Sequence, residues 1–143
     1  MFNPSVICDN FQNISVQGNK IFVSETLIEV LEFLKNTSEY DFDMLTSIIA
    51  VDNKTNVQLI YQLFSTKSND TCEVYYDVVN NEVLSVVSLY KSAHFDECEI
   101  YDLFGVKFVG NERLKRLFMP ETWIGHPLLK SYELNDERLV WND

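Results

Sequence analysis

Four acidic side chains fall within seven positions, Asp96, Glu97, Glu99 and Asp102. Paired carboxylates can do acid–base chemistry, one protonated and the other ionised, as in glycoside hydrolysis. On a helix Glu99 and Asp102 are three residues apart and share a face. That chemistry usually draws its two carboxylates from different elements across a cleft. A solvated or ion-paired helix face is therefore the simpler reading, with Arg113, Lys115 and Arg116 as the cations that follow in sequence. His94 and His126 are the only histidines. They could join Glu97 or Asp102 around a metal, but no H-E-x-x-H or comparable spacing supports one. Pro127 biases His126 toward extended backbone, which suits a turn or an interface. Cys98 lies between Glu97 and Glu99, whose charge opposes thiolate formation, so an inert, partly buried thiol is expected. Trp123 and Trp141 near the C-terminal end suit either a partner interface or the home core.

These side chains need a scaffold. Residues 1–20 read as polar and irregular, and Ile21-Phe22-Val23 reads as a short strand. Ser24 is placed to cap a helix whose stripe is Leu27, Val30, Leu31 and Leu34. Met44–Val51 is apolar and β-branched. Val57, Leu59, Tyr61 and Leu63 alternate, as do Cys72, Val74, Tyr76 and Val78. Short polar turns between these three strands predict an antiparallel meander. Val83–Tyr90 fits a strand that runs into a helix. Ile100, Leu103 and Phe104 then give a helical face that Gly105 can end. The expected fold class is α+β, a single domain with a mostly antiparallel sheet and helices packed on one face. It covers residues 1–120, and an extended, partner-binding tail covers 121–143.

The composition narrows the function. Acidic residues outnumber basic ones 22 to 11 in a chain of 143, a formal charge of −11. Nucleic acid and anionic lipid surfaces are poor partners for such a chain. The four glycines, Gly18, Gly105, Gly110 and Gly125, do not cluster, which excludes a Walker loop and a dinucleotide fingerprint. Cys8, Cys72 and Cys98 form no C-x-x-C pair, so neither a disulfide framework nor a zinc or iron–sulfur site is expected. No apolar run is long enough to span a bilayer. Met1-Phe2-Asn3-Pro4 has no basic start before an apolar stretch, so no signal peptide is expected and a cytoplasmic location is the default.

One stretch is distinctive. Glu97-Cys98-Glu99-Ile100-Tyr101-Asp102-Leu103-Phe104-Gly105 resembles the signature of the respiratory complex I 30-kilodalton subunit family. Arg116-Leu117-Phe118-Met119-Pro120-Glu121-Thr122-Trp123 and Gly125-His126-Pro127-Leu128 resemble its following segment. Leu45–Asp52, Val57–Phe64 and Ser85–Ala93 resemble the strands upstream, so the likeness runs from about residue 40 to 134. Cys98 stands where the family usually has arginine. Gly110-Asn111-Glu112 replaces a Gly-His-Pro, and Leu129 and Ser131 replace an arginine and an acid. The resemblance implies a subunit of a proton-translocating NADH:quinone oxidoreductase with no catalytic residue, metal or cofactor of its own. Iron–sulfur clusters and quinone would belong to partner subunits. It implies packing on the hydrogenase-like large subunit and iron–sulfur subunits, peripherally on the cytoplasmic side of the membrane. Glu97, Glu99, Tyr101, Asp102, Gly105, Arg116, Trp123, Gly125, His126 and Pro127 would be signature and interface residues, and Trp123–Asp143 would drape over the large subunit. Membrane-bound energy-converting nickel–iron hydrogenases and formate hydrogenlyase-like complexes share the domain and form the alternative. A stand-alone acid–base enzyme using Glu97, Glu99 and Asp102 is the third possibility.

Overall fold

The computed structural model describes residues 2–133. Strands β3 (Met44–Asp52), β4 (Val57–Phe64) and β5 (Thr71–Asp77) form the expected antiparallel meander. Strand β2 (Lys20–Val23) joins it alongside β5, in parallel, and β1 (Ile14–Gln17) completes the sheet against β2. The order is β1-β2-β5-β4-β3, with one parallel pair and three antiparallel pairs.

The N-terminal stretch departs from its irregular reading. It holds helix α1 (Ser5–Asn10) as well as β1. Both are short and polar on one side, and tertiary contacts define them: Ile7 is fully buried, and β1 forms because a two-residue turn returns the chain onto β2. Gly18 takes a left-handed φ of 62° in that turn, a conformation glycine adopts at little cost.

Alternation along β4 puts Val57, Leu59, Tyr61 and Leu63 on one face, and all four are buried. Helix α2 (Leu27–Asn36) contributes its stripe of Leu27, Val30, Leu31 and Leu34 to the same core. Its cap is Thr26, without a side-chain cap bond, and not Ser24. The Ser24 hydroxyl is drawn back to the carbonyl of Asn13 instead, at 3.0 Å.

Val83–Tyr90 is less regular than the expected strand running into a helix: the strand ends at Leu84, and residues 85–92 are coil and turn before the next helix begins at Ala93. Strand β6 (Glu82–Leu84) pairs in parallel with β7 (Lys107–Val109) in a separate two-stranded sheet. A turn then leads into α3 (Ala93–Phe104). This helix lies against the outer strand β3. The Ile48 N–H donates to the Asp96 carboxylate at 3.1 Å, and the Ser92 hydroxyl donates to the Leu45 carbonyl at 3.2 Å. An edge strand with its polar groups met in this way is a poor template for another strand. Helix α3 is therefore fixed at the sheet edge before its own carboxylates are considered.

Candidate functional site

Helix α3 carries the acidic cluster, and the structure splits it. Glu99 is exposed, while Glu97 and Asp102 have no exposed surface. The solvated half of that reading is thus corrected for these two, while the ion-paired half holds for Asp102, which meets Arg116. Tertiary packing covers the side of the helix that they occupy, and each carboxylate survives burial through its own set of donors.

Glu97 faces the link between β6 and α3. Its Oε1 accepts the Val86 N–H at 2.8 Å. The Ser85 hydroxyl reaches both oxygens, at 3.1 and 2.8 Å, and Asn111 Nδ2 donates to Oε2 at 2.9 Å. No Lys or Arg pairs with it among the described residues. Burial pushes its carboxyl above the usual range, and the three donors and His94 only partly offset that. Asn111 also lies 3.2 Å from His94 Nδ1, and His94 in turn lies 3.8 Å from the buried Cys98 thiol. Cys98 is the enclosed thiol expected from the sequence, in contact with the Arg113 carbonyl at 3.8 Å.

Asp102 occupies the last turn of α3, where the helix dipole disfavours a negative charge. The compensation is correspondingly strong. Three successive N–H groups, those of Leu117, Phe118 and Met119, converge on Oδ2 at 3.1, 2.7 and 3.1 Å. Successive amides pointing at one oxygen form an anion-binding concavity. Arg116 Nη1 pairs with Oδ1 at 3.1 Å in a nearly fully buried ion pair. Burial raises the Asp102 carboxyl, but these donors outweigh it and hold it below the usual range. Of the three basic residues considered as partners, Arg116 therefore fills the role, and Arg113 and Lys115 stand exposed.

Arg116 extends the clamp. Its Nη2 donates to the Gly125 carbonyl at 3.0 Å. His126 Nδ1 sits 2.9 Å from the Asp102 carbonyl, and the Leu128 N–H donates to the Leu103 carbonyl at 2.9 Å. Gly105 ends the helix with φ 76°, and a Cβ there would lie 2.6 Å from the His126 ring. Glycine is required twice at this position, by the backbone and by the approach of the imidazole. Gly125 has φ 102° and packs against the Tyr132 ring. Trp123 and Pro127 are half-buried in the same segment, and Tyr101 is half-buried on α3. Trp141 lies outside the described residues.

Asp102, Gly105, Arg116, Gly125 and His126 are thus brought together at the C-terminal end of α3. Glu97 belongs to a second cluster on the same helix, and Glu99 joins neither. Ser85 and Asn111, the side chains that hold Glu97, carry no periodic signal that marks them in advance. The arrangement is unsuited to acid–base turnover. Both buried carboxylates are shut away from solvent, and their oxygens are occupied by protein donors. Among the described residues no group of three or more His, Cys, Asp or Glu is arranged to hold a metal ion.

The comparisons agree with the signature. Residues 22–138 match the family model for the 30 Kd subunit of respiratory-chain NADH dehydrogenase. The C subunit of NADH-quinone oxidoreductase from Roseiflexus sp. (strain RS-1) is 33% identical over 122 residues, covering 82% of this chain and 70% of that one. The C/D subunit of NADH-quinone oxidoreductase from Chromohalobacter salexigens is 37% identical over 120 residues, covering 76% of this chain and 20% of the relative. Among solved structures, a chain of the membrane-bound sulfane sulfur reductase, an archaeal respiratory membrane complex, shares the fold. Its TM-score is 0.74 at 21% identity, covering 92% of this chain and 84% of that one. With the family model matched over most of its length and the signature helix in place, this chain belongs to the 30-kilodalton subunit family of respiratory NADH-quinone oxidoreductases.

Proposed function

We propose that the chain is an assembly subunit of the peripheral arm of a proton-translocating NADH:quinone oxidoreductase, packed on the hydrogenase-like large subunit. In this reading it holds no cofactor, and the iron–sulfur clusters and quinone site belong to its partners. It sits peripherally on the cytoplasmic side of the membrane. Among the described residues no helix is long and apolar enough to cross one.

The observation that carries the reading is the relative named as a joint C/D subunit, in which a segment like this chain makes up about a fifth of one longer polypeptide. Fusion of two subunits into one chain holds them at high effective concentration, which suits units that pack against each other. The buried carboxylates of Glu97 and Asp102 support the same view, since their oxygens are taken up by donors of this chain and serve to hold its loops.

Affinity purification of the tagged chain from its native host under mild detergent, with partners identified by mass, tests this. Recovery of a large subunit together with iron–sulfur and membrane subunits is expected. A large subunit with a nickel-ligating cysteine pair at each end would reassign the complex to a hydrogenase. Recovery of the chain alone would overturn the assembly role.

A further inference from the structure

The hairpin between β3 and β4 meets the segment that follows His126 in a cleft of about 370 Å3. Small-molecule sites begin at about 300 Å3, so the cleft has room for a small ligand. Lys54 lines it from the hairpin and Lys130 from the C-terminal segment. One carboxylate fixes both: Asp52 Oδ1 accepts the Lys54 N–H at 2.8 Å, and Oδ2 accepts the Lys130 N–H at 2.7 Å. The N–H groups of Lys130 and Lys54 hold the Asp52 carboxyl below its usual range, and the Lys130 charge adds to the effect. Among the described residues Asp52 is the one acid that lines the cleft, and neither ammonium forms an ion pair. Two unpaired cations at one cleft stand out in a chain with 22 acidic residues and 11 basic ones.

Lys54 is also held in a left-handed conformation, with φ 71°. Of the six non-glycine residues at positive φ among the described residues, the other five are asparagine or aspartate. Those two types tolerate this conformation best after glycine, through short side chains that bond locally. A hairpin that had only to turn would take one of them here. Strain kept at the edge of a cleft points to a task for the side chain that bears it.

Two ammonium groups suit a phosphate dianion, for which lysine acts as a point charge. The Asp52 carboxylate lies in the same cleft, but both its oxygens are already taken up by backbone N–H groups. Ser131 adds a hydroxyl to the lining, and Val57 and Leu129 add apolar surface. A long polyanion would meet the repulsion of a chain that carries −11. A single small anion answers mainly to the charges within about 8 Å of it at physiological salt. We propose that this cleft binds a small phosphate monoester, its phosphate held by Lys54 and Lys130 and its organic part laid on Val57 and Leu129. The assignment does not depend on the assembly reading.

Amide NMR of the isotope-labelled full chain provides the test, with phenyl phosphate, inorganic phosphate and sodium chloride titrated at matched ionic strength. Saturable shifts at Lys54, Lys130 and Ser131 are expected with both phosphates and not with chloride. Phenyl phosphate is expected to bind about tenfold tighter, through the apolar surface that its ring covers. Lys54→Gly suits the left-handed φ, so its thermal melt is expected to match or exceed wild type, while its affinity for phenyl phosphate falls about tenfold. Lys130→Ala is expected to lose a similar factor, since its bond to Asp52 comes from the backbone and survives the change. Lys67→Ala serves as control, because the Lys67 ammonium bonds the Ser38 carbonyl at 3.2 Å and does not line the cleft. Its affinity is expected to equal that of wild type. Shifts spread evenly over the lysines of the chain, or matched by chloride, would mean an adventitious ion only and overturn the site. Unchanged affinity in folded Lys54→Gly and Lys130→Ala would overturn it as well. Equal affinity for phenyl phosphate and inorganic phosphate would overturn the assignment to a monoester.

Discussion

Helix α3 buries two carboxylates, Glu97 in its first half and Asp102 in its last turn, and treats them oppositely. Glu97 receives a hydroxyl, one amide N–H and an asparagine amide, with no Lys or Arg paired to it among the described residues, and its carboxyl is raised by burial. Asp102 receives three amides and an arginine, and its carboxyl is lowered despite burial. The difference follows what each one holds. Glu97 ties α3 to its own domain through the β6 link. Asp102 fastens an irregular segment that has neither helix nor strand to hold it. A segment without a backbone ladder leaves its N–H groups in need of acceptors, and an ionised carboxylate is the strongest acceptor a side chain can offer.

Asp102→Ala breaks the comparison most severely. It strands the buried Arg116 guanidinium and three backbone N–H groups at once. Removing one partner of a buried ion pair costs about 3–5 kcal/mol, and that loss is expected in urea unfolding. The amides of Leu117, Phe118 and Met119 are expected to lose hydrogen-exchange protection at the same time. Glu99→Ala, at an exposed position on the same helix, is expected to change stability by less than about 0.5 kcal/mol. Equal effects from the two substitutions would mean that the clamp does not hold the segment.

Glu97→Gln sharpens the comparison through pH. The raised Glu97 carboxyl keeps its proton in the folded chain at pH values where the unfolded chain has released it. Wild-type stability therefore falls as pH rises from the ordinary value of 4.5 toward the folded value. Asp102 has the opposite sign. Its contribution is present above the ordinary 3.8 and is lost as pH falls through its lower folded value. Glutamine keeps an acceptor for Val86 and Ser85 and removes the buried charge. The variant is expected to lie within about 1 kcal/mol of wild type at pH 4. It is expected to gain on wild type as pH rises toward 7, as read from unfolding midpoints across that range. A difference that is flat with pH would show that Glu97 ionises without penalty.

The sequence made the central parts of this structure legible for definite reasons. Val57, Leu59, Tyr61 and Leu63 alternate because one face of β4 is buried, and Leu27, Val30, Leu31 and Leu34 repeat because one face of α2 is. Gly105 announced the end of α3, where its φ of 76° suits glycine. The short elements α1 and β1 carried too few periods to register. Ser24 had the right residue type for a cap, but a distant carbonyl claimed its hydroxyl. The acidic cluster was visible, yet its split was not. A carboxylate that meets solvent and one that collects three amides look identical in sequence, and the donors for Asp102 lie 14 to 17 residues away. The signature motif located the clamp as a set of residue types, and the geometry supplied what the set does.

A small effect of the opposite sign is expected at Tyr61, whose phenol lies under the influence of the Glu97 charge. Its ring fills the core with no exposed surface, and its hydroxyl has no hydrogen-bond partner among the described residues. Burial, followed by the neighbouring charge of Glu97, pushes the phenol well above its ordinary range. A buried hydroxyl without a partner loses its water and gains nothing in exchange. Tyr61→Phe keeps the ring and removes that group, so it is expected to leave stability unchanged or raise it by up to about 1 kcal/mol in urea unfolding. A loss of about 1 kcal/mol or more would show instead that a buried water binds the hydroxyl. The region around Glu97 would then be a hydrated polar network, and the contrast with the Asp102 clamp would be one of solvent as well as charge.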